Sequence, residues 1–411
     1  MRTPAFPSLT LAAAVLVGPM LAAGCTGGSK SASTPPSSSA PSNAIVIGLI
    51  NTEDAPIGSF PDLRRGALAA AHYVNDTYGG VGQRPITIVP CTTNGTPESS
   101  LSCANKLLAQ HPVAVIGGVD LGAAASLPAL QSAKVPYVGG TPVTTDALTS
   151  DGSFMFAGGT ATEVLGEVGY ATDTLHAHRM AAVYVDVPGL LSTAVGLLNN
   201  IVKKKGVTNF KVVPVQSDAP DMVPALSSAA GSHPDAVLAV FPGQSCTRVI
   251  EGVSSIGLKA KMLYPSLCAG QQLLSAAGSS SEGAVVASAY RPYSDTADPE
   301  VKVYRSALSR YDHSAKPSLL SEAGFSVVMN LRQLLTEGGG TPTPASLDKT
   351  LRATKDHPNF LAAPFTCDGK QIPLLRSLCN TKVQISVVHN GTLQPVGGYV
   401  DTAPIAGLAV G

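Results

Sequence analysis

From Ala44 onward the chain alternates two patterns: short apolar, β-branched runs, and longer stretches where small and apolar residues recur every three or four positions. The runs Ala44–Ile50 and Ile86–Val89 read as strands, and Val113–Ile116, too short for a helix and rich in β-branched residues, predicts a buried parallel strand. Between them, a helix from about Asp62 turns Leu63, Ala67, Ala70, Ala71 and Val74 to one side, and a second spans Pro97–Gln110. Gly117-Gly118 breaks the third run, a helical pattern starts at Gly122, and Tyr137-Val138 reads as a further strand. The rhythm restarts after Phe154–Ala157, with strands at Ala181–Val185, Phe210–Val215, Ala236–Phe241 and Met262–Tyr264 and helices at Glu163–Leu175, Gly189–Lys205, Met222–Ala230 and Cys246–Ile256. After Ala284–Ser288, two long helical patterns, Pro299–Tyr311 and Ser318–Glu337, form a third block, and a region rich in short strands follows Gly338-Gly339-Gly340. Strands alternating with helices predict an α/β fold of parallel sheets with right-handed crossovers, and two sets predict two similar lobes.

Charge is balanced, 27 basic against 27 acidic residues, and only 13% of residues are charged, which argues against nucleic acid as a partner. At 411 residues, two domains are expected. Residues 1–25 read as a signal peptide: Arg2, an apolar stretch Leu9–Ala23, then Leu21-Ala22-Ala23-Gly24-Cys25. Those last five residues resemble a bacterial lipobox, with Ala22 where Leu is usual. Cys25 would then be the lipidated first residue of the mature chain, the alternative being an ordinary secretory signal. Residues 26–43, mostly Ser, Pro, Gly and Thr, read as a tether. Of the seven cysteines, setting Cys25 aside leaves Cys91, Cys103, Cys246, Cys268, Cys367 and Cys379. In an exported protein their nearness in sequence suggests three local disulfides, each worth about 3 kcal/mol on a chain-entropy argument, although six cysteines allow fifteen connectivities.

The turn after Val113–Ile116 joins the carboxyl end of a parallel strand to the amino end of a helix. Unpaired N–H groups there favour an anionic or polar ligand group. Other chemistries find weaker support. Ser245, on a strand-to-helix turn, invites comparison with a hydrolase nucleophile, but the second Gly of that elbow is missing and no local His pairs with it. His176 and His178 lack an acidic companion at ligand spacing, and phosphate-loop and dinucleotide spacings are absent, so neither metal nor cofactor is expected.

Arg65-Gly66-Ala67 through Asn75, followed by Gly79-Gly80-Val81-Gly82-Gln83-Arg84-Pro85-Ile86, resembles the first helix and following strand of the type I periplasmic binding proteins. The likeness is to the branched-chain amino acid (Leu/Ile/Val) receptors of ABC importers. Val115-Ile116-Gly117, Val135-Pro136-Tyr137, Tyr184–Gly189 and the block Tyr290–Leu335 extend it over nearly everything from Ala44 to Pro395. The resemblance implies two Rossmann-like lobes with parallel sheets, joined by three hinge crossovers near 157–159, 288–291 and 341–344. Lobe one would hold residues 44–157 and 289–343, and lobe two residues 158–288 and 344–411. A small solute would bind between the lobes and be buried by hinge closure, and the closed form would dock on a membrane permease. The implied protein is a monomeric, non-enzymatic lipoprotein on the outer face of the bacterial cell membrane. A sensor subunit of the same fold is the alternative, and an exported hydrolase using Ser245 the more distant one. Expected ligand contacts are Ser59, Asp120, Leu121, Gly122, Thr141, Thr144, Pro188, Phe241 and Gln244. Leu121 stands where such receptors carry a hydroxyl for the ligand carboxylate, and Pro242-Gly243-Gln244-Ser245 where they carry a carboxylate for the ammonium. An α-amino acid is therefore less expected than a neutral polar or amide-bearing solute. Turn, cap and core roles compete for Thr141, Thr144, Ser59 and Phe241.

Overall fold

The computed structural model describes residues 43–185, 192–216, 219–241 and 245–409. The first block runs β1 (Ile45–Thr52), α1 (Pro61–Tyr78), β2 (Ile86–Thr93), α2 (Pro97–Leu108), β3 (Ala114–Gly117), α3 (Ala123–Ser132), β4 (Tyr137–Val138), α4 (Thr145–Thr149) and β5 (Ser153–Phe154). The second runs α5 (Gly159–Asp173), β6 (Arg179–Val185), α6 (Ser192–Lys204), β7 (Asn209–Val215), α7 (Val223–Ala230), β8 (Ala236–Val240), α8 (Ser245–Ser255), β9 (Lys261–Pro265), α9 (Gln271–Ala277) and β10 (Val285–Ser288). The chain closes with α10 (Pro299–Tyr311), α11 (Leu319–Glu337), α12 (Pro344–Ala353), β11 (His357–Asn359), β12 (Ala362–Phe365), β13 (Lys382–His389), β14 (Thr392–Asp401) and α13 (Ala403–Gly407).

The strands form two main sheets, one per lobe. The first, in order β2-β1-β3-β4-β5, is parallel throughout. The second, β14-β13-β10-β9-β8-β6-β7, is parallel except for β13 and β14 at one edge. β1 is buried along nearly its whole length because helices cover both faces, which is why it reads as an unbroken apolar run. Helix ends are signalled locally. Pro61 opens α1 and Gly79, at φ 67°, closes it; Ser318 and Ser321 form a reciprocal cap on α11.

Lobe one is completed late in the chain. α11 lies along α1 so closely that a Cβ on Gly66 would stand 2.0 Å from the Ser321 carbonyl oxygen, and one on Gly324 1.9 Å from that of Leu63. The Arg65 guanidinium grips Asp312 through two bonds, at 2.6 and 2.7 Å, and Ser318 Oγ donates to Asp62 Oδ2 at 2.8 Å. α12, which the sequence pattern did not predict, packs beside α11, and its Arg352 reaches Asp151 at 2.8 Å. Thr343 caps α12, so the 341–344 segment leads into a helix lying with lobe one. The chain connects the lobes through residues 155–158, 289–298 and 354–381. These segments are stitched together: Arg291 N–H donates to the Leu361 carbonyl at 2.7 Å, Asn359 Nδ2 to the Phe156 carbonyl at 3.2 Å, and Phe156 stacks on Phe365 with centroids 4.5 Å apart.

The structure joins Cys91 to Cys103, Cys246 to Cys268 and Cys367 to Cys379, the neighbour pairing that the spacing suggests. Cys25, the leader and all but the last residue of the tether lie outside the described residues.

Backbone contact at the α1–α11 crossing leaves no room for a side chain. Gly324→Ala is expected to destabilise the protein by about 3 kcal/mol in denaturant titration. Gly398→Ala, where an added Cβ meets nothing within 4 Å, should stay within about 0.5 kcal/mol of the parent.

Candidate functional site

The carboxyl ends of the lobe-one strands are organised by buried polar side chains. Asn51, at the end of β1, donates to the Phe60 carbonyl at 2.7 Å and accepts from Val119 N–H at 3.1 Å, tying two loops together. Asp120 is buried and fully used: it accepts from Ser100 Oγ at 2.6 Å, Ser126 Oγ at 2.8 Å and Gly122 N–H at 3.1 Å. Burial pushes its carboxyl up, and these bonds pull it back toward ionisation. The amino end of α3, expected to offer itself to a ligand, thus receives a carboxylate from its own loop. Gly122 is fixed by the same arrangement, since a Cβ there would lie 2.3 Å from Ser100 Oγ. Leu121 is half-buried, its N–H 3.5 Å from Thr52 Oγ1.

Gly140 follows β4 at φ 70°, and a Cβ on it would coincide with the Gly117 carbonyl. Thr141 comes next and is buried, whereas Thr144 caps α4 by accepting from Ala147 N–H at 3.4 Å. Ser59 is exposed and donates to the Glu53 carbonyl at 2.6 Å, and Phe241 is 1% exposed within the core. Pro188 and Gln244 lie outside the described residues. Ser245 is buried, its hydroxyl accepting from Arg248 Nη2 at 2.9 Å. His357 pairs with Glu337 and His389 with Glu282.

The lobes meet around residues that the sequence pattern did not single out. Tyr290, in the second connecting segment, places its hydroxyl 3.5 Å from the Gly140 carbonyl. Glu163 of α5 is buried, and its Oε2 accepts from Ser266 N–H, just past β9, at 3.2 Å. Gln271 N–H donates to the Pro317 carbonyl at 3.3 Å, and Tyr293 hydroxyl to the Ala269 carbonyl at 3.0 Å. These contacts bring the ends of β4 and β9 and the amino end of α11 to one junction. α11 presents Glu322, Ser326 and Asn330 along one face. Ser326 donates to the Phe360 carbonyl at 2.6 Å and Asn330 to Asn359 Oδ1 at 2.6 Å, while both oxygens of buried Glu322 lack a partner.

Besides Asp120, the buried carboxyls of Glu163, Glu167 and Glu322 are held above the ordinary range. Burial pushes Glu163 up to about 7, with bonds from Ser266 opposing. Glu167, one turn along, is raised further by burial and then by the charge of Glu163. Glu322 is raised by burial against the opposing Arg305 charge. The available sequence signal was a pair of acids four residues apart, Glu163 and Glu167, in a stretch otherwise of small and apolar residues.

The family described as "Periplasmic binding protein" matches residues 44–373, most of the chain. The protein belongs to that family. No curated protein matches the chain. Solved structures share the fold of this periplasmic binding protein. One is a possible leucine/isoleucine/valine-binding protein from Rhodopirellula baltica SH 1, with TM-score 0.72 and 18% identity, covering 87% of this chain and 98% of its own. A fatty acid ABC transporter substrate-binding protein from Thermomonospora curvata has TM-score 0.75 and 18% identity, covering 89% and 94%. An R. palustris solute-binding protein in complex with 4-hydroxybenzoate has TM-score 0.72 and 19% identity, covering 89% and 99%. These are type I periplasmic binding proteins, so the two-lobed α/β architecture is that of the type I family.

A carboxyl raised on folding binds a proton that the unfolded chain has released, so its contribution is complete at acid pH and is lost as pH rises. For Glu163 the window runs from its ordinary value of 4.5 to about 7 and corresponds to about 3 kcal/mol. Glu167 and Glu322 act in the same direction. Glu163→Gln should therefore melt higher than the parent above about pH 7 and close to it below about pH 5. Parallel melting profiles across that range would show that Glu163 does not change protonation on folding.

Proposed function

We propose that this periplasmic binding protein captures a small solute between its lobes and delivers it to the permease of an ABC importer. In this reading it performs no chemistry of its own. The observation that carries the proposal is the junction itself: Gln271 of the second lobe donates to the Pro317 carbonyl just before α11, and Tyr293 of a connecting segment donates to the Ala269 carbonyl, beside three stitched connecting segments. Two sheets linked in this way can close as rigid bodies by bending a few residues, and a solute between them would fix the closed geometry that a permease reads. Thr141, Leu121 and Gly122 border the same end of lobe one, and Pro188, Phe241 and Gln244 would complete the opposite wall. The hinge would run through 155–158, 289–298 and 354–381, with α12 counted in lobe one.

The relatives differ in what their names record: branched-chain amino acids, fatty acids and 4-hydroxybenzoate. The solute here is accordingly a small molecule, with amino acids and amides in the first panel beside carboxylates, nucleosides and sugars. We place the body outside the cytoplasmic membrane, held by lipid on Cys25 through the 26–43 tether, and acting as a monomer. Three disulfides suit an oxidising compartment.

A calorimetric melting screen tests the reading. A solute at a thousand times its dissociation constant should add about 4 kcal/mol of native-state stability, and cells lacking the protein should lose uptake of that solute. Stabilisation without any uptake defect would favour the sensor role. Cys25→Ser is expected to move the protein from the membrane to the soluble fraction; unchanged membrane association would rule out anchoring through Cys25.

A further inference from the structure

The order β2-β1-β3-β4-β5 of the first sheet reverses at β1: the chain leaves it toward β2 and returns on its other side as β3. The loops after β1 and β3 therefore part at the carboxyl end of the sheet, and in open parallel sheets small molecules bind in the crevice so made. Three loops converge there. A Cβ on Gly95, after β2, would stand 3.0 Å from Ala55 Cβ, after β1, and 3.1 Å from Leu121 Cδ1, after β3. Gly95, Ala55 and Leu121 are each half-buried, so part of each remains open. The Cys91–Cys103 disulfide fastens β2 to α2 on either side of the Gly95 loop. The polar side chains of these loops are turned to one another. Arg64 holds the two Glu53 oxygens at 2.8 Å each, Asn51 Nδ2 bonds Glu53 and the Phe60 carbonyl, and Thr52 Oγ1 lies 3.0 Å from Thr93 Oγ1. Ser59 donates to the Glu53 carbonyl, Thr96 caps α2, and Asp120 collects three donors of its own. Asp54 is exposed, and Asn94, also exposed, gives its Oδ1 to the Thr96 N–H.

Resting on the solute-binding reading above, we propose that the crevice between β1 and β3 binds the apolar end of the solute, an alkyl or aryl group packed on Leu121 and Ala55 across Gly95. Leu121 is the specificity-determining residue of this half-site. An apolar group laid there displaces water from carbon surface, and the gain grows with the area covered. A hydroxyl or carboxylate in the same place would give up its hydration to carbon and lose free energy. The captured solute is therefore amphiphilic, and sugars and polyols, polar on every side, are excluded.

The test is calorimetric melting and titration of the full chain with homologous probes: acetate, butyrate and hexanoate, the matching amides, and xylitol. The expected result is that affinity rises about threefold to fourfold for each added methylene in at least one series, and that xylitol does not stabilise. Leu121→Ser should weaken binding of the six-carbon probe at least about fivefold while changing that of the two-carbon probe less than about twofold. Affinity that does not grow with chain length, xylitol stabilising more than the six-carbon probes, or a chain-length gain that Leu121→Ser leaves intact overturns the apolar assignment while leaving solute binding standing. No stabilisation by any probe overturns both. Should Leu121→Ser fail to fold, Ala55→Asn, on the other side of the same crevice, takes its place with the same two outcomes.

Discussion

The architecture depends on the backbone contact between α1 and α11. Helices normally keep their axes apart by the size of the side chains between them, and here Gly66 and Gly324 remove those side chains. That approach lets a helix made after the five parallel strands of the second sheet become part of the first lobe. The opposite face of α11 meets the connecting segments, where Ser326 and Asn330 bind Phe360 and Asn359. One helix therefore both completes lobe one and holds the segments that connect the lobes. A shift that relieved crowding on one face would disturb the other.

Buried acids in this protein fall into two kinds, and the difference is a matter of donors. Asp120 resembles a structural ion: its loop wraps it, three groups donate to it, and it satisfies the amino end of α3. Its effect is to hold the N–H of Gly122, at the start of α3, within the loop itself. Glu163 and Glu322 are buried with far less support, near the junction, and their environment favours the protonated form.

Much of the fold was legible in the residues, because parallel strands covered on both faces are largely apolar, as β3, β8 and the first six residues of β1 are. Pro299–Tyr311 and the long apolar pattern ending at Glu337 stood out as helices for the same reason, with Pro and Ser at their starts. α12 was not visible, since its ten residues bury only Leu347 and Leu351 and follow a triple glycine that reads as a break. The site was less legible than the fold. Loop polarity suggested Asp120 and Thr144, yet a polar side chain at a strand end serves its own turn as readily as a ligand, and only side-chain direction distinguishes the two. Tyr290 and Gly140 come together from elements far apart in sequence, a proximity that no local pattern encodes.

The interleaving of the lobes also sets an order of assembly. Asp62 and Ser318 bond across 256 residues of chain, so α1 cannot reach its final packing until β6 to β10 have been made. Until then its apolar face has no permanent cover, and closing so long a loop is slow compared with pairing neighbouring strands. The second lobe, whose β6 to β10 are contiguous, can condense first and present the returning chain with a formed edge. A chain threaded outward from its amino terminus would thus remain incompletely folded until its last third emerged, and the oxidation that joins Cys367 to Cys379 would fall late in that sequence.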